Sequence, residues 1–232
     1  MENALKIKYA YTFKNGAKKA FDLVLDTGTL GLVAERRRDL PLWTLLNFNK
    51  CAICPLNEIS HAYCPVAVNL SGIVEEFKDF VSYEEVSVMV TTEERAYAKH
   101  TTIQQGLSPL IGIIMTTSGC PVMERLKPMV RFHLPFASLE ETVFRMVSMF
   151  LIAQYLRHQD GKPAEWSLTG LTQIYAEVEQ VNQDFAQRMH AAAKKDANVN
   201  ALVNLDCFAK LIPLAAEEML KEIKPYFAAY LK

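Results

Sequence analysis

None of the common catalytic signatures is written in this chain. It carries no glycine-rich phosphate loop, no Ser–His–Asp order, no paired-carboxylate signature and no His-x-x-x-His pair, so the nucleotide-binding, hydrolase and metalloprotease classes find no support. Net charge is also missing. Twenty-five Lys and Arg against 26 Asp and Glu leave −1, with a pI near 6.5, and without a basic field nucleic acid is not expected as a partner. The one local exception, Arg36-Arg37-Arg38, is flanked by Glu35 and Asp39 and is expected to be a solvated loop. Long apolar runs are scarce. The longest strongly apolar stretch, 143–153, is interrupted by Arg145 and Ser148 and falls short of the ~20 residues that span a bilayer, so a core helix is expected there and no membrane contact. Met1-Glu2-Asn3-Ala4 lacks the basic and apolar regions of a signal peptide, so a cytoplasmic protein is expected. Cysteines number five. An odd count in a reducing compartment speaks for ligands or core residues and against a disulfide framework.

What is present is ordinary for a globular protein: 232 residues, half of them hydrophobic and 22% charged. That length suits one domain or two closely joined ones. The start alternates strictly, with Leu5, Ile7, Tyr9, Tyr11 and Phe13 on one side and Lys6, Lys8, Thr12 and Lys14 on the other, the period of a half-buried strand. Asn15-Gly16 supplies a tight turn into a second strand carrying Phe21, Leu23 and Leu25, and a short third strand is expected around 30–33, completing a β-meander over 1–38. Residues 39–65 show neither period and read as a loop. A helix from Val66 to about Phe80 follows, then a hairpin in which Val86, Val88 and Val90 alternate, with Tyr97, Lys99 and His100 on the return strand.

From residue 106 onward the period is helical. Gly119 and Pro121 mark a helix end and the next beginning, and Ser138-Leu139-Glu140-Glu141 is a capping box opening a long helix through about His158. Leu171, Tyr175, Val178, Phe185 and Met189 form the next stripe, and Asp196 is expected to cap a last helix kinked at Pro213. The whole reads as a single α+β unit: an N-terminal β-meander and a second hairpin packed on a C-terminal helical bundle.

Four cysteines carry the chemistry. Cys51-Ala52-Ile53-Cys54 can bite one centre from a single turn, Cys64 can return to it, and Cys120 arrives from the helix junction. Four thiolates fit a four-coordinate zinc site or an iron–sulfur cluster. Zinc sites usually draw two short pairs, and here there is one. A proline follows Cys54, Cys64 and Cys120, as it follows the last cluster ligand of ferredoxins. A 4Fe-4S cluster is therefore placed ahead of zinc, with plain burial of the thiols as the remaining reading. Cys207, among Leu205, Phe208 and Leu211, is assigned to the core.

These cysteines, together with the phrases Tyr63-Cys64-Pro65-Val66-Ala67, Thr117-Ser118-Gly119-Cys120-Pro121, His133-Leu134-Pro135-Phe136 and Asp196-Ala197-Asn198-Val199-Asn200-Ala201, resemble an uncharacterised bacterial domain-of-unknown-function family. The resemblance covers nearly the whole chain and implies one architectural unit. It brings no activity.

Polar residues on apolar faces mark a second region. Asn182 sits between Val178 and Phe185, and its expected partners are Asp196, Asn200 and Asn204, which recur on one face of the last helix. This polar seam either fixes helix register or lines a pocket. His133 and Arg145 join the candidate pocket with Asn182, Asn200 and Asn204, although Glu141 four residues before Arg145 also suits a helical ion pair. Three functions remain: a cytosolic iron–sulfur protein in redox or sensing; an enzyme or small-ligand binder using the seam, with structural zinc; and an interaction module. Partners are unknown, and a homo-oligomer is left open.

Overall fold

The computed structural model describes residues 4–34, 39–192 and 194–232. Glu35 and the Arg36–Arg38 run lie outside them. Two hairpins, β1 (Ala4–Phe13) with β2 (Lys18–Asp26), and β3 (Glu85–Thr91) with β4 (Ala96–Thr102), join through β1 and β3 into one antiparallel sheet of order β2-β1-β3-β4. The fold is α+β. The expected third strand of the meander is a single bridge, Leu25 to Leu32, because the Leu32 N–H turns away to the carbonyl of Thr117 at 2.9 Å.

Alternation in β1 holds as read: Leu5, Ile7, Tyr9, Tyr11 and Phe13 are all buried, as are Val86, Val88 and Val90 across the strand pair. On that face lie α1 (Pro65–Phe77) and α2 (Ile103–Thr117). Pro65 stands in the first turn of α1, where its missing N–H leaves nothing unsatisfied. Phe77 closes an aromatic cluster, 5.3 Å from the Tyr11 ring and 5.7 Å from Phe21. Fully burying such side chains is worth roughly 1.5–3 kcal/mol each.

Helix α2 is the hinge of the packing. Gly106 lets it touch the sheet: an added Cβ there would lie 2.8 Å from Val88 Cγ2, and Tyr11 Oη donates to the Gly106 carbonyl at 3.0 Å. Its opposite side meets the last helix, where a Cβ on Gly112 would lie 3.4 Å from Leu205 Cδ2. Gly119, with φ +87°, ends α2 as the sequence suggested. A 3₁₀ turn (Met123–Leu126) and the short α3 (Lys127–Arg131) lead to α4 (Leu139–Gln159), which the capping box opens: Glu141 N–H donates to Ser138 Oγ at 3.1 Å and Ser138 N–H to Glu141 Oε2 at 2.7 Å. Helices α5 (Thr169–His190) and α6 (Ala197–Ile223) pack on each other, and α6 packs on α2.

Three expectations on α6 need correction. Asp196 precedes the helix without capping it; its carboxylate instead accepts from Ser82 N–H and Oγ, both at 2.9 Å, tying α6 to the segment before β3. Cys207 is exposed rather than core, since α6 buries the side carrying Leu202, Ala209 and Ile212. The helix nearest in composition to a membrane span is Ala197–Phe227, in which one 18-residue window has mean hydropathy 1.4, rather than 143–153. Length and composition alone would let it cross a bilayer, while 33% of that window is buried against the rest of the fold. An uninterrupted run is a poor guide here because Asp206 and Lys210 break up α6, while the Leu, Val, Ile and Ala residues around them outweigh their effect on the average.

Candidate functional site

The loop of residues 39–65 is organised by backbone bonds and by one arginine. Cys54 N–H donates to the Cys51 carbonyl at 3.0 Å, closing the Cys-x-x-Cys turn, and Cys64 N–H donates to the Thr44 carbonyl at 2.8 Å. Leu45 and Tyr63 bridge the two limbs. Arg188, from α5, is 1% exposed and donates to four loop carbonyls: Nη1 to Trp43 and Leu45 at 2.7 and 2.6 Å, Nη2 to Leu46 and Asn49 at 3.1 and 3.3 Å. One turn earlier, Asp184 Oδ2 accepts the Ala52 N–H at 2.8 Å, and Gln180 holds its other oxygen at 3.0 Å. A single helix face thus grips the loop that carries three of the cysteines.

All four candidate cysteines are free and half-buried. They lie within electrostatic reach of one another. Burial pushes the Cys51 thiol up to about 12, and the neighbouring Cys64, Asp184, Cys120 and Cys54 push it the same way. Burial raises Cys64, while the amides of Val66 and Ala67 at the start of α1 and the Arg188 guanidinium pull against it. Cys120 is raised by burial and opposed by the amides of Met123 and Val122. Neither cysteine closes a full capping bond, but each faces a helical N-terminus, where partial positive charge favours a thiolate.

The guanidinium of Arg188 has carbonyls around it and, among the described residues, no carboxylate in an ion pair. Its Nε is buried without a partner. A buried cation without a counter-charge is expensive; burial lowers the Arg188 pKa, and Cys64, Cys51 and Cys54 act in the opposite direction, as groups able to supply that charge would. Deprotonated thiolates around a metal would provide the missing anion. The set is not drawn onto one point, however: among the described residues no group of three or more His, Cys, Asp or Glu side chains has the arrangement to hold a single metal ion. The four thiols are neighbours without being the tight shell of a lone ion.

A cavity of about 390 Å³ opens between α2, α4, α5 and α6, lined by His133, Arg145, Asn182 and Asn204 among others. Four of the five residues expected of a pocket therefore meet. Asn200 is not among them: its amide donates to Asp196 Oδ2 at 2.9 Å. The seam as drawn from sequence does not form, because Asp196 is engaged by Ser82, Asn198 donates to the Val74 carbonyl at 3.1 Å, and the Asn182 side-chain oxygen is left buried without a partner. The Glu141–Arg145 ion pair does not form either. Glu141 folds back as the capping box, and Arg145 donates to the Met129 and Phe132 carbonyls at 2.9 and 2.7 Å.

His133 and Arg145 also line a second cavity of about 460 Å³ against β1 and β4. Burial beside Arg145 pulls the His133 imidazole down to about 3, so it is neutral, and its Nε2 meets Tyr9 Oη at 2.6 Å. Burial holds the Tyr9 phenol protonated, which favours Tyr9 as donor in that bond. His100 stays at the surface, near Ser87 and Glu85.

Arg188, Asp184, Tyr9 and Tyr175 are the site residues that the sequence reading passed over. Arg188 had a signal: it sits beside Met189, three residues after Phe185 on an otherwise apolar face. A family model for a domain of unknown function, DUF6901, matches residues 7–228. The chain belongs to that family. No curated protein and no solved structure matches it. The match runs through both hairpins, the cysteine loop and all six described α-helices, so the sheet, loop and bundle are one family unit.

Proposed function

We propose that the chain is a cytoplasmic iron–sulfur protein whose cluster is held by Cys51, Cys54, Cys64 and Cys120 and serves redox or sensing work. One observation carries this reading: four thiols from three separate segments neighbour one another, and three of them, Cys64, Cys51 and Cys54, act on Arg188, a buried cation that among the described residues pairs with no carboxylate. Four thiolates on a cluster or a zinc ion leave a net negative centre, the counter-charge that position lacks. The amides of Val66, Ala67, Val122 and Met123 face the sulfurs of Cys64 and Cys120, and such N–H groups tune the potential of a cluster. A cubane spreads its ligands wider than a lone zinc does, and this suits thiols that are neighbours but not a single-ion shell. When bound, the cluster would supply one-electron chemistry.

A second reading keeps the same four ligands for a structural zinc and gives the function to the cavity at Asn182 and Arg145. It draws on the presence of that cavity. The two readings separate by substitution. Changing Cys51, Cys54, Cys64 or Cys120 singly to Ser is expected to abolish stoichiometric iron in anaerobically purified protein, with Cys207→Ser retaining it. Zinc retained in place of iron by the unaltered chain would favour the second reading.

A further inference from the structure

The cavity between α2, α4, α5 and α6 has a volume typical of small-ligand sites. Most of its wall is apolar, with Ile113, Met146, Val178 and Ile212 buried around it. Among the polar side chains that line it, three from α4 and α5 keep hydrogen-bonding capacity in hand. Arg145 spends only Nη2, on two carbonyls, and among the described residues it pairs with no carboxylate. Tyr175 is buried, lies close enough to Arg145 for each to shift the other's ionisation, and has no hydrogen bond from its hydroxyl among the described residues. Asn182 is 2% exposed, and its side-chain oxygen is unpaired.

Unpaired donors and acceptors inside an apolar chamber describe what the chamber is missing. A wholly apolar ligand would leave Arg145 and Asn182 unsatisfied, at the usual penalty for a buried polar group. Two cationic side chains line the chamber, Arg145 and Lys99, the latter over the Phe136 ring, and they favour an anionic group on the ligand. A planar carboxylate matches the free edge of a guanidinium fork. We propose that this cavity binds a monocarboxylate with an apolar body, its carboxylate on Arg145 and the Tyr175 hydroxyl and its body along Ile113, Val178 and Ile212. The unpaired oxygen of Asn182 leaves a place for one hydroxyl or amine on that body. This inference does not rest on which metal the cysteines hold.

The test is calorimetric titration of the purified full-length chain with octanoate and with octan-1-ol. Octanoate is expected to bind once per chain and at least tenfold more tightly than the alcohol. Arg145→Gln should weaken octanoate at least tenfold while octanol changes less than twofold, which also reports that the cavity is intact. Because that substitution removes the bonds to Met129 and Phe132 as well, Tyr175→Phe provides a second reading that leaves them in place, and it should weaken octanoate severalfold. No saturable binding of octanoate, equal affinity for acid and alcohol, or unchanged octanoate binding in Tyr175→Phe would each overturn the proposal.

Discussion

Replacing Arg188 by Met would remove the clamp between α5 and the cysteine loop while keeping a side chain of similar length. Four carbonyls would lose their donor, two of them at 2.7 and 2.6 Å and two at longer range. A hydrogen bond to a charged group contributes roughly 1.5–3 kcal/mol, so the two short bonds alone represent about 3–6 kcal/mol. Relief from burying the guanidinium offsets part of this, and a net loss of about 3–5 kcal/mol is expected, as when one partner of a buried charged contact is removed. That is a large fraction of the ~5–15 kcal/mol by which domains are stable. Trp43 offers the assay: it is 8% exposed and its carbonyl is one of the four acceptors, whereas the other tryptophan, Trp166, is 60% exposed. In a Trp166→Phe background, urea melts followed by Trp43 emission should show an early loop transition in Arg188→Met. Arg188→Lys keeps the charge but not the fork, and should fall between. A loss below about 1 kcal/mol, the size of an average point substitution, with unchanged Trp43 emission would refute the clamp.

Other outcomes follow from the same contacts. Cys120→Ser should lower the melting temperature by several degrees and expose residues 39–65 to protease, because a bound centre would clip the loop to the bundle; Cys207→Ser, at an exposed position, should do neither, and matching melts and digests would contradict the assignment. His133 is held at about 3 against an ordinary 6.5, so its contribution to stability is present above 6.5 and is lost as pH falls toward 3, by at most about 1.4 kcal/mol per pH unit. Its half-buried ring makes the real slope smaller. Denaturant melts at pH 7 and 5 should show less acid sensitivity in His133→Gln, and an identical pH slope would sink the idea. Gly106→Ala places a Cβ 2.8 Å from Val88 Cγ2 and should destabilise by ~1–2 kcal/mol, overpacking outweighing the helix propensity gained. Val88→Ala should rescue it, and additivity of the two changes would argue against the contact.

Strands and helices were legible where one period ran unopposed. In β1 the alternation from Leu5 to Phe13 names every buried residue, and Ser138 with Glu141 names the start of α4. The cysteine set was legible as types and spacing. What escaped the sequence was the choice among competing partners. Glu141 could pair with Arg145 or cap α4, and the cap won because the Ser138 N–H lies within its own turn. Asp196 could cap α6 or hold Ser82, a contact 114 residues away that local pattern does not reveal. Arg188 was unreadable as a clamp because its partners are backbone carbonyls, which leave no trace in residue identity. Cys207 was misplaced because one apolar-looking stretch of α6 presents Leu211 and Leu214 to the outside as well.

The central claim is that Cys51, Cys54, Cys64 and Cys120 hold an iron–sulfur cluster beside Arg188. Iron and acid-labile sulfide analysis of anaerobically purified protein, with its visible spectrum before and after dithionite, tests it most directly. The account predicts a brown protein with iron and sulfide in equal amounts, about four of each per chain, whose colour bleaches on reduction. A colourless protein without stoichiometric iron, whether it holds zinc or nothing, would contradict it.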